Sequence, residues 1–280
     1  MSNSVITTPR IIRSPIQRFQ HGVCVAHEDD LAVEEPLEIQ LGYMRKGWRV
    51  HKSVSITMRT PGHDPELATG FLYSEGIIGA AANIERIHSS ELNVVRVDLR
   101  PEVSVDLRGL ERHFYATSSC GVCGKASIEA LRMSIRPSVR SNGPVFSAAA
   151  IHRLPETLRE TQEVFDKTGG LHAAGLFDSR GTLICRREDV GRHNAVDKLV
   201  GAQLLAGEIA RCAESLLLVS GRASFELVQK TIAAGIPILA AVGAPSSLAV
   251  ELAREAGATL LGFVRDDRFN IYSHPERIQS

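Results

Sequence analysis

The sequence predicts an α/β protein in two parts, with a small α+β unit in the first half and a larger unit of alternating strands and helices in the second. In the first half, apolar and polar residues alternate along several short segments, whereas in the second half apolar runs alternate with amphipathic helical stretches. The chain has 280 residues, of which 44% are hydrophobic and 23% charged. At roughly 150 residues per domain this length fits two domains, each able to bury a core without disulfide bonds.

The first half contains a leader, three predicted strands and one predicted helix. Residues Met1–Gln20 contain no apolar stretch of signal-peptide length, so we expect a polar, mobile leader. Asp64 followed by Pro65 is typical of a helix start, and this helix runs to about Ser74 before Gly76 ends it. Alternation predicts half-buried strands on the apolar residues Leu37, Ile39 and Leu41, then Val54, Ile56 and Met58, then Val95, Val97 and Leu99.

At the junction, Pro155 is placed in the first turn of a helix that carries Leu158 and Phe165 inward and ends at Gly169-Gly170. Beyond it, two strands flank the turn Ser179-Arg180-Gly181 as a hairpin. We expect a largely parallel sheet covered by helices, because strand and helix then alternate regularly. The predicted elements are strands Ala174–Asp178 and Thr182–Arg187, helix 194–205, strand Leu216–Val219, helix Ala223–Ala234, strand Pro237–Val242, helix Ser246–Ala256 and strand Thr259–Val264.

Charge and cysteine content exclude several classes of protein. Lys plus Arg and Asp plus Glu are both 32, so no net field draws the molecule to nucleic acid or to an anionic membrane. No apolar run approaches the length of about 20 residues that spans a bilayer. Five cysteines are an odd, sparse set that argues against a secreted disulfide framework, so we expect a cytoplasmic protein. Cys24, Cys185 and Cys212 are interpreted as small buried hydrophobic residues.

The remaining two cysteines, Cys120 and Cys123, lie in the small-residue segment Thr117–Lys125, ahead of a predicted helix from Ala126 to Met133. A helix N-terminus and the nearby Lys125 both favour the thiolate form. Three uses compete for such a pair. A structural zinc site would need a second ligand pair, which is missing, and a thioredoxin-like site would follow the first strand of a βαβ unit. A sulfur relay needs an accessible thiolate that carries sulfane sulfur as a persulfide. Two buried structural thiols are the plain alternative.

A zinc-dependent deaminase is also considered and rejected. That chemistry requires His-x-Glu ahead of Pro-Cys-x-x-Cys. Here Ser119 precedes Cys120, no His-x-Glu occurs upstream, and the stretch His172–Ala174 lies downstream without a glutamate. The residues of deaminase catalysis are therefore absent from the sequence.

Glycine turns after the predicted strands are candidate sites for an anionic ligand, because backbone N–H groups gather where parallel strands end. Taken singly, such a turn is more often a plain connection between a strand and a helix. Arg265 and Arg268 have side chains that can fork onto phosphate oxygens. The turns are Ser220-Gly221-Arg222, Gly243-Ala244-Pro245-Ser246 and the segment Phe263–Arg268.

The segment Asp189–Lys198 is rich in residues capable of ligand recognition. On a helical period Asn194, Asp197 and Lys198 share one face, and apolar residues occupy the opposite one. The polar face is either solvated or recognises a nucleotide or pterin at the head of the helix. His193 is a hydrogen-bonding group in either case, and proton transfer is a further option.

Five motifs in this order resemble the FdhD/NarQ family, the formate dehydrogenase accessory sulfurtransferases. The resemblance extends from about Glu35 to Tyr272. The motifs are Ser119-Cys120-Gly121-Val122-Cys123-Gly124-Lys125, Thr168-Gly169-Gly170-Leu171-His172-Ala173-Ala174, the segment Glu188–Lys198, Ser220-Gly221-Arg222, and the segment Phe263–Tyr272.

The resemblance implies a homodimeric sulfur carrier that takes persulfide sulfur from a cysteine desulfurase. It delivers this sulfur to the bis-guanine-dinucleotide form of the molybdenum (or tungsten) cofactor, bound as a substrate, before formate dehydrogenase receives that cofactor. By position, Cys120 bears the persulfide and Cys123 supports it, and no protein-bound metal is implied. The cofactor-binding stretch is Phe263, Val264, Arg265, Asp266, Asp267 and Arg268.

The fold implied is a cytidine-deaminase-like, three-layer C-terminal domain joined to a smaller N-terminal α+β domain. The chain then divides into a mobile leader (1–30), the small α+β domain (31–115), the CxxC loop with its following helix (116–145) and the cofactor-binding α/β domain (146–280). Two other functions compete: a thiol-disulfide oxidoreductase with a reversible Cys120–Cys123 disulfide, and a non-enzymatic chaperone of the molybdenum cofactor.

Overall fold

The computed structural model describes residues 8–89, 91–105 and 143–280, and the helix expected from Ala126 to Met133 lies outside them. The described strands of the first half are β1 (Ile11–Gln20), β2 (Val23–Ala32), β3 (Glu35–Arg45), β4 (Trp48–Arg59), β5 (Ile84–His88) and β6 (Val94–Leu99), with helix α1 (Asp64–Ser74). Those of the second half are β7 (Phe146–Ser147), α2 (Ala148–Arg159), α3 (Glu163–Thr168), β8 (His172–Phe177), β9 (Leu183–Asp189), α4 (Arg192–Leu205), β10 (Leu216–Val219), α5 (Phe225–Ala233), β11 (Ile238–Ala241), α6 (Ser247–Glu255), β12 (Thr259–Gly262), β13 (Asn270–Ser273) and β14 (Ile278–Gln279).

Strands β1 and β2 form an antiparallel hairpin in the segment where the sequence predicts a polar, mobile leader, so from Ile11 onward the chain has regular structure that the sequence does not reveal. His21 and Gly22 connect the strands with positive φ angles of 52° and 81°, the backbone geometry of a tight hairpin turn. Most residues of both strands are exposed. Because neither face of the hairpin is buried, its sequence lacks the regular apolar alternation that reveals a strand.

The N-terminal sheet has the strand order β4-β3-β6-β5, and the predicted strands and helix of this region are confirmed. Its inner face packs against α1. The face assigned to β4 is wrong in part, because Val54 is buried whereas Ile56 and Met58 are 63% and 47% exposed. A β-bulge between Ile39 and Gln40 in the β3–β4 pairing inserts one residue, so the alternation of side chains switches faces beyond it.

Helices α1 and α4 pack closely and join the two halves. The contact is made at Gly70 and Gly201. A methyl group at Gly70 would lie 1.8 Å from the carbonyl oxygen of Asp197, and one at Gly201 would lie 1.9 Å from that of Glu66. Only glycine lets two helix backbones approach this closely.

The C-terminal sheet has the strand order β13-β12-β11-β10-β8-β9. Only β10–β11 and β11–β12 are parallel, so the prediction of a largely parallel sheet is wrong. The hairpin β8–β9 joins one edge antiparallel, and β13, which the sequence does not reveal, joins the other. Helices α4, α5 and α6 cover one face of the sheet and α2 covers the opposite face, so this half has three layers.

The strands and helices predicted after the junction are confirmed to within a few residues. The junction helix differs. Pro155 lies inside α2 rather than in a first turn, since α2 already begins at Ala148 with Ser147 as its cap. Helix α2 ends at Arg159, and the separate helix α3 begins at Glu163. Gly169, whose φ is 65°, caps the end of α3. Leu158 is buried as expected, whereas Phe165 is only partly buried and lies under the Arg159 guanidinium.

Candidate functional site

The carboxyl ends of the parallel strands β10, β11 and β12 meet at one edge of the C-terminal sheet, here called the carboxyl edge. The turns after β10 and β11 lie side by side, since Gly243 donates its backbone N–H to the carbonyl of Gly221 at 2.9 Å. Ser224 and Ser246 then cap α5 and α6 by accepting hydrogen bonds from Leu227 and Ala249. Two predicted glycine turns are therefore brought together next to two helix N-termini, a backbone arrangement suited to anions.

His172 also lies at the carboxyl edge, because β8 runs antiparallel to β10 and begins where β10 ends. The Ser220 hydroxyl accepts the backbone N–H of Ala173 at 2.9 Å and fixes the start of β8. A methyl group at Gly221 would lie 3.4 Å from Nδ1 of His172, so the ring packs over this glycine. Burial, together with the neighbouring Arg192 and His193, lowers the pKa of His172, although Asp189 opposes the shift. The imidazole is therefore neutral at pH 7.

Helix α4 begins at the same edge, and its first turn is held by Asp189. The buried Asp189 carboxylate accepts hydrogen bonds from the backbone N–H groups of Gly191 (2.8 Å) and Thr60 (3.2 Å) and lies 2.6 Å from Nζ of Lys198. Lys198 also donates to the carbonyl of Thr60 at 2.8 Å. Because Thr60 belongs to the N-terminal half, this network joins the start of α4, in the C-terminal half, to the N-terminal half.

The polar face of α4 is buried rather than solvated. Asn194 donates to the carbonyl of Met58 at 2.8 Å, and Asp197 accepts two hydrogen bonds of 2.9 Å from Lys230 and one of 3.1 Å from Ser74. Of the two interpretations of this face, solvation is wrong. These side chains are engaged in hydrogen bonds within the protein, some of them between the halves and others with Lys230 of α5.

Arg192 and His193 remain as the polar residues of α4 that face the carboxyl edge. The Nε atom of Arg192 is buried, and within the described residues it has no hydrogen-bond partner. Nε2 of His193 lies 3.1 Å from a carboxylate oxygen of Glu226 and 3.3 Å from the Ser224 hydroxyl. The hydrogen bond with His193 lowers the pKa of Glu226. Sequence reasoning missed Glu226; its position two residues after the cap Ser224 is the signal that marks it as part of the first turn of α5.

The predicted cofactor-binding stretch follows β12 at the same edge. Phe263 has a positive φ of 54° and its side chain is 40% exposed, whereas the side chain of Val264 is buried in the core. The guanidinium of Arg265 donates to the carbonyls of Val242 (3.0 Å) and Val264 (3.2 Å), which directs it along the turn after β11. The backbone N–H of Arg265 donates to the carbonyl of Arg268 and closes the loop. Asp266, Asp267 and Arg268 are exposed.

A small cavity of about 140 Å³, with a mixed polar and apolar lining, lies behind the edge, between the halves. It is lined by hydroxyls of the N-terminal sheet and by the polar side of α4, and His193 borders both the cavity and the carboxyl edge. The hydroxyls are those of Ser55 and Thr57, and the lining also includes Phe71 and Lys230.

Cys120 and Cys123 lie outside the described residues, so the structure does not place the candidate sulfur-carrying thiols. The other three cysteines are free. Cys212 is buried as expected, whereas Cys185 is only partly buried. Burial raises the pKa of Cys185, and burial together with the neighbouring Cys185 raises that of Cys212 to about 12. The expectation that Cys24 is buried is wrong, because this residue lies exposed on β2.

Across 8–89, 91–105 and 143–280, no three His, Cys, Asp or Glu side chains are grouped to hold a metal ion. Among the helices of those same ranges, none combines the length and apolar character needed to cross a membrane.

Comparison with known proteins assigns the chain to a family. The model of the FdhD/NarQ family matches residues 32–279. Proteins named sulfur carrier protein FdhD from Mycolicibacterium paratuberculosis and Sulfolobus acidocaldarius are 49% and 44% identical; the matches cover 95% and 96% of this chain and 98% and 99% of those relatives. A solved structure, described as a formate dehydrogenase accessory protein from Desulfotalea psychrophila, is 26% identical with a TM-score of 0.76, over 97% of this chain and 100% of that one. The chain therefore belongs to the FdhD/NarQ family.

Proposed function

We propose that this protein accepts persulfide sulfur from a cysteine desulfurase on Cys120 and transfers it to a molybdenum bis-guanine-dinucleotide cofactor needed by formate dehydrogenase. The name of the relatives, sulfur carrier protein, supports the sulfur step, and the name of the solved structure supports the link to formate dehydrogenase. The observation that carries the cofactor step is the convergence of the turns at Gly221 and Gly243 with Arg192 and Arg265 at the carboxyl edge. Guanidinium groups and the N-termini of helices such as α5 and α6, which begin at this edge, favour nucleotide phosphates.

The loading step is a thiolate exchange. The Cys120 thiolate attacks the terminal sulfur of the desulfurase persulfide, a sulfur–sulfur bond forms on Cys120, and the desulfurase cysteine leaves as a thiolate. Cys123 has two possible roles in release. Either its thiolate attacks the inner sulfur of the Cys120 persulfide, which forms a Cys120–Cys123 disulfide and expels hydrosulfide, or it only orients the persulfide.

The carboxyl edge is proposed as the cofactor-binding surface, with Phe263–Arg268 on one side and the first turn of α4 on the other. Arg192 has an unpartnered Nε at this surface among the described residues, and the neutral His172 ring lies between α4 and Gly221. A neutral imidazole both donates and accepts a hydrogen bond, so it suits a guanine or pterin edge better than a second phosphate contact.

Further parts of the proposal concern architecture and location. We assign the three-layer half to a cytidine-deaminase-like architecture, with residues 31–115 and 146–280 as the two domains and 116–145 as the segment that carries the thiols. We also assign the protein to the cytoplasm, where desulfurase and apo-dehydrogenase are available, and to a homodimeric state.

Mass spectrometry of the intact protein tests the loading step. After incubation with a cysteine desulfurase and cysteine, we expect the mass of one added sulfur atom in the native chain and in Cys24→Ser, and no added sulfur in Cys120→Ala. Cys24→Ser is the matched control, because Cys24 is the exposed free thiol of the described residues. Equal loading of Cys120→Ala contradicts the proposal. In Cys123→Ala, loaded sulfur that no longer leaves as hydrosulfide supports the disulfide route, and unchanged release supports orientation alone.

Titration calorimetry with guanosine diphosphate tests the carboxyl edge. Loss of a charge-assisted contact in Arg265→Met or Arg192→Met is expected to weaken binding by about 1.5–3 kcal/mol. Arg180→Met is the matched control, since Arg180 lies in the β8–β9 turn at the opposite end of the sheet and is 83% exposed. Unchanged affinity in both edge variants would move the nucleotide site elsewhere.

A further inference from the structure

The loop that follows β12 leaves the sheet at Val264. The backbone N–H of Phe263 donates to the carbonyl of Gly243 at 3.1 Å, and that of Val264 donates to the carbonyl of Ala241 at 3.1 Å. These two hydrogen bonds hold the start of the loop to the sheet. Val264 is buried, whereas residues 265–268 are exposed. From Arg265 onward, contacts made from outside the sheet therefore decide where the side chains of the loop point.

The guanidinium of Arg265 has one edge in use and one edge open. Its Nη1 donates to the carbonyls of Val242 and Val264, whereas Nε and Nη2 make no hydrogen bond within the described part of the chain. The N–H groups of Nε and Nη2 lie side by side, which is the spacing that two phosphate oxygens accept. A paired contact of this kind requires a fixed direction, so the backbone that carries Arg265 has to be held in place.

His152 of α2 contacts this loop at both of its ends. Its Nδ1 lies 2.9 Å from the carbonyl oxygen of Arg265. Because a carbonyl only accepts hydrogen bonds, Nδ1 carries the proton and donates it. The imidazole also packs against the ring of Phe269, with the ring centres 5.2 Å apart and the planes at 47°. Between these two contacts, the backbone N–H of Arg265 donates to the carbonyl of Arg268 at 2.8 Å.

We propose that His152 is a positioning residue of the carboxyl edge, whose hydrogen bond to the Arg265 carbonyl aims the open edge of that guanidinium at a nucleotide phosphate. This inference rests on the proposed function, which supplies the phosphate. His152 acts through the loop backbone and does not touch the ligand.

Helix α2 gives His152 a rigid base. The helix has twelve residues and begins with the cap Ser147, whose hydroxyl accepts the backbone N–H of Ala150. On either side of His152 in sequence, Ile151 and Leu154 are completely buried in the core under the sheet. The position of the donor is therefore set before a ligand arrives. A loop that is already held in its binding geometry loses less conformational freedom on binding, and affinity rises accordingly.

Titration calorimetry with guanosine diphosphate tests the proposal with two complementary variants. His152→Phe keeps a ring against Phe269 but has no donor, so binding should weaken about fivefold to tenfold. His152→Asn loses the ring but places an amide N–H where Nδ1 was, so its affinity should stay within about twofold of the native value. Thr157→Leu is the matched control, because the Thr157 hydroxyl bonds within α2 to the carbonyl of Arg153. Circular dichroism of each variant confirms that it is folded.

A double-variant cycle with Arg265→Met separates positioning from a general structural effect. If His152 acts through Arg265, then His152→Phe should cause no further loss of affinity once Arg265 is replaced. A general weakening of the fold would instead lower the affinity by the same factor in both backgrounds.

The outcomes distinguish this inference from the proposed function. A native chain that does not bind guanosine diphosphate would overturn the proposed cofactor surface and this inference with it. If the native chain binds, then unchanged affinity in His152→Phe, a loss in His152→Asn as large as that in His152→Phe, or additive losses in the double variant would each overturn the role of His152 alone.

Discussion

Replacement of Lys198 by methionine is expected to destabilise the protein strongly, because it leaves a buried carboxylate without its cation. The Lys198 side chain is 1% exposed, its Nζ lies 2.6 Å from Asp189, and the Asp189 side chain is completely buried. Methionine is similar in length and fills the space without charge. Breaking a buried ion pair by removing one partner costs about 3–5 kcal/mol. Asp189 keeps hydrogen bonds from Thr60, Gly191 and Asn194, so we expect the lower end, about 3 kcal/mol.

Urea denaturation of the native chain and of Lys198→Met at pH 7 measures this deficit. Lys46→Met is the control, because Lys46 is exposed in the β3–β4 turn and its replacement leaves no buried charge without a partner. A deficit below about 1 kcal/mol in Lys198→Met would refute the reasoning.

Three further predictions concern contacts between the halves and the carboxyl edge. Gly201→Ala, whose new methyl group would lie 1.9 Å from the Glu66 carbonyl oxygen, should lower the thermal midpoint despite a helix-propensity gain of about 1 kcal/mol, whereas Gly79→Ala should not. Glu66 is partly buried, which raises its pKa, but the hydrogen bonds from Arg187 and His63 outweigh burial and lower the pKa to about 2. The stability of the native chain should therefore fall as pH drops from about 4.5 toward 2. Urea titrations of Glu66→Gln should show a shallower dependence of stability on acid pH. His172 should titrate below 6.5 by nuclear magnetic resonance and rise in Arg192→Met; an unchanged value would contradict the assigned contact.

Sequence patterns predicted the strands and helices that bury at least one face. They did not predict strands without a buried face, or features that depend on the pairing of two distant strands. Strand β10 matches its predicted bounds, because four consecutive apolar residues lie in a sheet covered on both sides. The hairpin at Ile11 has no buried face and therefore no alternation to detect. The bulge that exposes Ile56 arises from the register with β3, which is a property of two strands and not of one.

The sequence predicted the turns of the candidate site but not the burial of its charged side chains. Gly221, Gly243 and Arg265 were identified because glycine and arginine after a strand are local signals. The burial of Asp197 and Lys198 was not, since a polar helix face looks solvated until a second domain is placed against it. The partners Thr60 and Met58 are 130 and 136 residues away in sequence from Val190 and Asn194, and helical periodicity carries no information over that distance.

The glycine contact between α1 and α4 implies that the two halves unfold as one cooperative unit. Helix α4 belongs to the C-terminal half by sequence. The side of α4 that faces away from the C-terminal sheet nevertheless contacts the backbone of α1 and polar groups of the N-terminal half instead of water. If the chain were cut at the junction, Asp197, Lys198 and Lys230 would be exposed to water on a surface that is buried in the intact protein. Calorimetry of the intact protein should accordingly show a single endotherm, and neither fragment should be recoverable as a folded species.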